Sequence, residues 1–341
     1  MSARRILFIG GTGRLSWSCV ERASAQGHEV LVLNRGLATA RPHLDGVRYL
    51  KGDARDPASV RQATDGMDFD AVINFVAFTA DDVAADLDLF RGRTGQYVFI
   101  SSASAYETPP ARLPITESTP LRNMVWLYSQ HKIRAEEKLV AAYRSENYPI
   151  TIIRPSHTYD RGVVPMIGGW TSIARMRAGK EIVVHGDGSS LWTLTHARDF
   201  AKGVVGLLCN PRAYGDTFHV TSDEAPCWNV IVQTLARAAG VAAPRLVHVP
   251  SDAIAAADKD WGDALLGDMA HSLVFDNAKV RSLVPEFVCT TPFAEGAREM
   301  MAWFDAHPER QIVDAAKDRT MDWLVDAYRP RRPQATVERT A

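Results

Sequence analysis

The chain opens on a short apolar run, Ile6-Leu-Phe-Ile9, bounded by Arg4-Arg5 on one side and glycine on the other. Four consecutive apolar residues without alternation read as a strand buried on both faces, as in a parallel sheet. Glycines 10, 11 and 13 break the run, and a helical pattern follows from Ser16 through Val20, Ala23 and Ala25 to Gly27. The same exchange then repeats. Glu29 to Leu33, Val47 to Lys51, Asp70 to Val76, Gln96 to Ile100 and Pro149 to Ile153 read as further strands. Pro57 to Ala63, Asp81 to Phe90 and about Trp126 to Arg144 read as helices between them, with Asp81 or Asp82 capping the second. Alternating β and α elements with right-handed crossovers predict an α/β fold, a Rossmann-like doubly wound parallel sheet.

Beyond residue 160 the pattern is less regular. Gly168 to Lys180 suggests a helix, Ile182 to His185 a short strand and Gly186-Asp-Gly-Ser-Ser a turn. Asp199 to Cys209 reads as a helix packing back on the sheet, and Thr217 to Val220 as a strand. Trp228 to Ala239, Pro292 to Asp305 and Ala315 to Tyr328 read as helices. The expected division is a dinucleotide-binding unit over 1–160, completed by about 190–212. A smaller C-terminal α/β substrate region covers 161–189 and 213–328, and a proline-rich, charged, flexible tail covers 329–341.

The first strand–turn–helix unit carries a spacing with chemical meaning, Gly10-x-x-Gly13-x-x-Ser16. Glycines make a tight turn and let backbone N–H groups approach a pyrophosphate, and the helix N-terminus adds partial positive charge. Gly10, Thr12, Gly13, Arg14 and Leu15 are therefore expected around a dinucleotide. The third position, usually glycine, holds the small Ser16. On the helix after the fifth strand stands Tyr128-Ser-Gln-His-Lys132. Positions i and i+4 share a helix face, so phenol and ammonium point the same way. A nearby positive charge is expected to lower the tyrosine pKa from its usual value near 10 and make it a usable proton donor or acceptor. Ser102, at the C-terminal end of a strand where open α/β sheets bind ligands, is expected to hold a substrate oxygen beside Tyr128.

Composition narrows the field without redirecting it. The 341 residues are 46% hydrophobic and 23% charged, with net charge −1, so no global basic field attracts nucleic acid. Four scattered cysteines lack a C-x-x-C pair, which argues against zinc or a disulfide scaffold. His185 and His196 flank a turn with no carboxylate or cysteine at ligand spacing, so no metal is expected. No secretory apolar region precedes the first strand and no run reaches membrane-spanning length. A soluble cytoplasmic protein without membrane or nucleic-acid partners is expected.

Together Gly10-Gly-Thr-Gly-Arg-Leu-Ser16, Gly52-Asp53, Ile100-Ser-Ser-Ala-Ser-Ala-Tyr106, Tyr128-x-x-x-Lys132, Arg154-Pro155 and Gly186-Asp-Gly188 through Asp199 fall in one order. Over about residues 4–300 the chain resembles an extended short-chain dehydrogenase/reductase of the NAD-dependent epimerase/dehydratase family. The resemblance implies serine, tyrosine and lysine catalysis by Ser102, Tyr128 and Lys132, with lysine also binding the nicotinamide ribose and hydride moving at nicotinamide C4. It implies that Asp53 and Ala54 meet the adenine, and that Phe75, Val76 and Ala77 line the cofactor. Pro155 and His157 would border the nicotinamide. It further implies a homodimer through the helices 81–90 and 126–144, for which Leu87, Phe90, Leu139 and Val140 offer apolar faces.

Three departures refine what the resemblance implies. Where members using NAD usually carry an acid after the second strand, this chain has Asn34-Arg35. Arginine is the better partner for a 2′-phosphate, so NADP is expected, with NAD the alternative. Where sugar 4,6-dehydratases carry Asp-Glu, Ala103 and Ser104 stand, which disfavours elimination and leaves them as substrate-pocket residues. Where nucleotide-sugar members carry a phosphate-holding arginine, Trp192 stands. A stacking tryptophan suits a sugar, cyclitol or polyketide-like ring, and its alternative is packing at the domain interface. His157 is either a further acid/base, since its ordinary pKa lies near 6.5, or a hydrogen-bonded wall residue. The expectation is thus an NAD(P)-dependent epimerase or oxidoreductase acting on a secondary alcohol or ketone of a sugar-like substrate. The alternatives are an NADPH-dependent ketoreductase of a non-nucleotide small molecule and a non-catalytic, dinucleotide-sensing or RNA-associated protein on the same fold.

Overall fold

A computed structural model of the chain describes residues 3–37 and 41–329. The first half alternates as expected: β1 (Arg5–Ile9), α1 (Arg14–Ala25), β2 (Glu29–Asn34), β3 (Arg48–Lys51), α2 (Pro57–Ala63), β4 (Ala71–Asn74), α3 (Ala80–Phe90), β5 (Tyr97–Ile100), α4 (Leu127–Glu146) and β6 (Ile150–Pro155). Then follow β7 (His157–Tyr159), α5 (Trp170–Arg177), β8 (Glu181–His185), β9 (Leu194–His196), α6 (Ala197–Leu207), β10 (Asp216–Val220) and α7 (Trp228–Ala238). The chain continues through β11 (Arg245–Val249), α8 (Ser251–Ala257), α9 (Lys259–Ala264), one π-helical turn over Leu265–Met269, α10 (Ala278–Leu283), α11 (Phe293–Ala306) and α12 (Ala315–Tyr328).

Seven strands form one parallel sheet in the order β10-β6-β5-β4-β1-β2-β3. The alternation of side chains along each strand explains its continuous apolar run. Ile6 and Phe8 pack with Val20, Phe200 and Val204 under α1 and α6, while Leu7 and Ile9 pack with Val83, Leu87 and Leu139 under α3 and α4. Both faces are covered, so no position along β1 after Arg5 can be polar without cost. Full burial of such a side chain contributes roughly 1.5–3 kcal/mol.

Three expectations change here. Thr217 to Val220 was expected in the smaller region, but β10 pairs with β6 from Asp216↔Thr151 to Val220↔Pro155 and closes the main sheet. Phe218 and Val220 give it the apolar face that packs against α6 and α10. The cap of α3 is Thr79, not Asp81 or Asp82: Thr79 Oγ1 accepts from the Asp82 N–H, and the Asp82 carboxylate accepts from the Thr79 N–H. Leu87, Phe90 and Leu139 do not offer a face to a second copy, because they lie buried in this chain's own core, with Val140 packed against them.

The rest of the chain builds a second apolar cluster around two small parallel pairs, β8–β11 and β7–β9. Trp170 stacks on Phe304 there, with ring centroids 4.5 Å apart. The strand β11 and the helices α8, α9 and α10 carried no clear periodic signal. Arg329, expected to begin a tail, caps α12 and pairs with Glu181 at 3.2 Å. The remainder of that stretch, 330–341, lies outside the described residues. Among the described residues no helix is long and apolar enough to cross a membrane.

Candidate active site

The C-terminal ends of the sheet strands open onto two adjoining cavities. The first, about 350 Å³, lies over β1, β2 and β3. It is lined by Gly10, Thr12, Gly13, Asn34, Arg35, Asp53, Ala54 and Val76, eight of the residues expected at the cofactor. The glycine turn has specific reasons to be glycine. Gly10 has φ +82°, and a Cβ there would sit 2.6 Å from Val76 Cγ1. Ser16 replaces the third glycine by tying the turn: its Oγ accepts from the Gly13 N–H at 2.9 Å and donates to the Gly10 carbonyl at 2.6 Å. Gly13 supplies no side-chain cap to α1, and the first turn of α1 holds no acid. The N–H groups there suit an anion, so the cradle fits a dinucleotide pyrophosphate.

Asn34 Oδ1 accepts from the Gly36 N–H at 2.7 Å and shapes the turn that leaves Arg35 exposed at the cavity edge. Arg55 lines the same cavity, and sequence reasoning missed it. Its signal was only adjacency to Gly52-Asp53; the Asp53 carboxylate accepts from the Arg55 N–H at 3.0 Å.

The second cavity, about 410 Å³, gathers Ser102, Tyr128 and Lys132 with Arg14, Leu15, Phe75, Pro155, His157, Ala103, Ser104 and Trp192. Phe78 lines both cavities, so they adjoin. Ala77 lines neither. Its carbonyl instead accepts from Lys132 Nζ at 2.8 Å, as does the Ile100 carbonyl at 2.8 Å. Lys132 is thus fixed by the loop that follows β4 and by the end of the neighbouring strand β5. Its ammonium lies 4.5 Å from the ring centre of Phe78 and 4.6 Å from that of Phe99. Burial lowers its pKa to about 7, although Glu136, one turn on, and Asp82 pull it back up.

The tyrosine behaves differently from the expectation. Burial, the dominant cause, holds the Tyr128 pKa above its ordinary value; a Ser102 hydrogen bond pulls it down and Asp268 pushes it up. Lys132 does not lower it, because the ammonium is 5.8 Å from the ring centre, is committed to two carbonyls and is itself partly stripped of charge. As the protein stands alone, Tyr128 is a protonated phenol at neutral pH, the form a proton donor needs.

Ser102 is oriented from behind. Its Oγ accepts from the Ser104 N–H at 3.2 Å and lies 2.8 Å from Ser104 Oγ, which accepts from Ser129 Oγ at 2.7 Å. A buried ion pair supports this wall: Arg154 binds Glu136 through Nε at 3.0 Å and 3.2 Å and through Nη2, and Ser101 Oγ donates to the same carboxylate.

His157 does not fit the acid/base expectation. Burial, with Arg14 nearby, lowers its pKa to about 4, so it is neutral across physiological pH. Its ring packs edge-on to Trp192 at 6.0 Å. Trp192 is 1% exposed and packs on Trp228 at 5.5 Å, as the packing alternative expects, and it also lines the cavity, where its Nε1–H has no acceptor among the described residues.

Sequence reasoning also missed Asp268, the one carboxylate in this cavity among the described residues. It sits on the π-helical turn, where Ala270 N–H bonds to the Leu265 carbonyl at 2.9 Å. Three contacts fix the turn. Asn123 Nδ2 donates to the Gly267 carbonyl at 2.6 Å and to the Ser104 carbonyl at 3.1 Å. Trp228 Nε1 donates to the Met269 carbonyl at 3.1 Å, and His185 Nε2 meets the same oxygen at 3.0 Å. Asp268 Oδ1 is shut off from solvent and has no hydrogen-bond partner among the described residues. Burial raises the Asp268 pKa to about 8. No motif marked this residue; only the folded chain brings it beside Tyr128.

Comparison with known proteins identifies the family. The sequence profile of the NAD dependent epimerase/dehydratase family matches residues 6–220. The chain is 29% identical over 244 residues to the 2′-dehydrokanamycin reductase of Streptomyces kanamyceticus, covering 69% of this chain and 67% of that protein. It is 26% identical over 259 residues to a chloroplast stem-loop binding protein of 41 kDa from Arabidopsis thaliana, covering 72% and 66%. The chain therefore spans about two thirds of the length of these relatives. An epimerase structure from Methanothermobacter thermautotrophicus superposes with TM-score 0.74 at 16% identity, covering 91% of this chain and 94% of that one. That likeness concerns the fold.

Proposed function

Because the chain belongs to the NAD dependent epimerase/dehydratase family, an enzyme family of the extended short-chain dehydrogenase/reductase superfamily, we propose that it is an NADPH-dependent reductase. Its substrate is a ketone on a sugar-like or cyclitol ring that carries no nucleotide diphosphate. The observation that carries this reading is the shared cavity, where the Tyr128 phenol, the Ser102 hydroxyl and the anchored Lys132 converge. Gly10, Gly13 and the first turn of α1 would hold the pyrophosphate, Arg35 and Arg55 the adenosine end, and Lys132 the nicotinamide ribose. The cofactor supplies a hydride when bound. Ser102, held by the Ser104 N–H, orients the substrate oxygen. Tyr128 donates its proton to that oxygen as negative charge develops on it. Lys132, held by the Ala77 and Ile100 carbonyls, fixes the cofactor end of the cavity, and Tyr128 regains its proton from solvent.

Reduction is favoured over epimerisation by three features. Tyr128 stands protonated, Arg35 and Arg55 suit a 2′-phosphate, and the relative from Streptomyces kanamyceticus is a reductase. Absence of a nucleotide is supported by the cavity's cations: among the described residues these are Arg14, which opens α1 after the glycine turn, and Lys132. A homodimer stays part of the reading, resting on the small residues Ala84 and Ala141 that line a groove between α3 and α4. A second reading, an RNA-associated role, is favoured by the likeness to the stem-loop binding protein. The convergence of Ser102, Tyr128 and Lys132 argues for the enzyme.

Mass spectrometry of the purified protein under native and denaturing conditions separates these readings. A reductase releases its dinucleotide and takes up NADPH from solution. Retained NAD(H) that survives purification would instead support an epimerase, and failure to bind either dinucleotide would leave the RNA-associated role.

A further inference from the structure

The substrate end of the larger cavity combines an unpartnered carboxylate with aromatic walls. Asp268 Oδ1 has no hydrogen-bond donor among the described residues and no solvent. The same cavity is walled by Trp126, Tyr128, Trp192 and Phe275. The turn that carries Asp268 is not free to swing the carboxylate away. A Cβ on Gly267 would meet Trp126 Cβ at 2.6 Å, and the carbonyls on either side of Asp268 are held by Asn123, His185 and Trp228. A buried acceptor without a donor costs stability, and such a group persists where a ligand completes it. Two arginines of the smaller region are engaged elsewhere: Arg175 with Asp318 and Asp322, and Arg177 with Asp305.

We propose that Asp268 is the recognition group for a positively charged amine on the substrate, so that this enzyme takes an amino sugar or aminocyclitol rather than a neutral or phosphorylated ring. An ammonium supplies the donors that Asp268 Oδ1 lacks, and aromatic walls such as Trp126 and Trp192 favour a cation in the cavity. The phosphate oxygens of a diphosphate would bring no donor to Asp268 Oδ1. The inference rests on this cavity being the substrate site of the proposed reductase. Because burial keeps Asp268 protonated at neutral pH, an incoming ammonium displaces that proton to solvent as the ion pair forms.

The test is calorimetric, on the full chain saturated with NADP+ at pH 7. The probes are 2-deoxystreptamine, a diaminocyclitol, myo-inositol, a ring of the same size without amines, and UDP-glucose. The expected result is that 2-deoxystreptamine binds at least tenfold more tightly than myo-inositol and that Asp268→Asn erases the preference. In the wild type its binding enthalpy should differ between phosphate and Tris buffers by the amount that proton release requires, a readout that does not depend on the variant. Equal binding of the two cyclitols, no binding of 2-deoxystreptamine, tighter binding of UDP-glucose, or an amine preference that survives Asp268→Asn would each overturn the proposal. Titration of NADP+ alone reports separately on the reductase reading: if NADP+ binds and the amine does not, only the amine inference fails.

Discussion

Replacing Asp268 by asparagine should change how stability depends on pH. In the folded chain burial holds this carboxyl protonated up to about pH 8, whereas in the unfolded chain it ionises near 3.9. Between those values the native state binds one proton more than the unfolded state. Stability therefore falls as pH rises across that window, with a slope of about 1.4 kcal/mol per pH unit from this group. Below the window the contribution is constant, and above it the loss is complete. Asparagine has the same shape and no titration. Urea unfolding of both proteins at pH 5 and pH 7.5, without dinucleotide, should show the variant gaining about 3 kcal/mol relative to wild type over that interval. The other titrating groups, including Asp86, whose pKa burial raises to about 6, cancel in the difference. Parallel curves for the two proteins would refute the reasoning, because they would mean that Asp268 is ionised in the native state throughout.

Arg35→Asp should weaken NADP(H) by about one to two decades and leave NAD(H) unchanged or improved, since a charge-assisted contact to a 2′-phosphate is worth roughly 1.5–3 kcal/mol. Calorimetric titration of both dinucleotides checks it, and an unmoved ratio would make Arg35 an adenine shelf. Gly267→Ala should cost about 1–3 kcal/mol through overpacking against Trp126 and should weaken substrate binding while NADPH affinity stays as in wild type. Urea midpoints and dinucleotide titration check both halves.

The parallel sheet was legible because its strands are buried on both faces, which leaves uninterrupted runs such as Ile6 to Ile9 and Tyr97 to Ile100 between glycine turns and amphipathic helices. The local part of the site was legible for the same reason: Gly10 to Ser16 and Tyr128 to Lys132 act within one turn and one helix face. What depended on distant chain was not. The strand β10 reads like the smaller region that follows it, and only its pairing with β6 assigns it to the sheet. The Tyr128 pKa was expected to fall because helix spacing reports the neighbouring ammonium, but not the burial that raises the phenol or the Ala77 and Ile100 carbonyls that hold Lys132. Likewise the ordinary titration of histidine suggested chemistry for His157 that burial removes. Asp268 lies on a π-helical turn far along the chain, in a stretch whose composition carries no period and no motif.

The central claim, proton donation from Tyr128 coupled to hydride transfer, is tested most directly with NADPH deuterated at nicotinamide C4 and a panel of keto-aminocyclitols and keto-sugars that includes 2′-dehydrokanamycin. The wild-type enzyme should place deuterium on the former carbonyl carbon of a ring that carries an amine. Tyr128→Phe should slow that transfer by about 10²–10⁴-fold while binding NADPH as tightly as wild type. No deuterium transfer to any ketone of the panel, or transfer by Tyr128→Phe within tenfold of the wild-type rate, would contradict it.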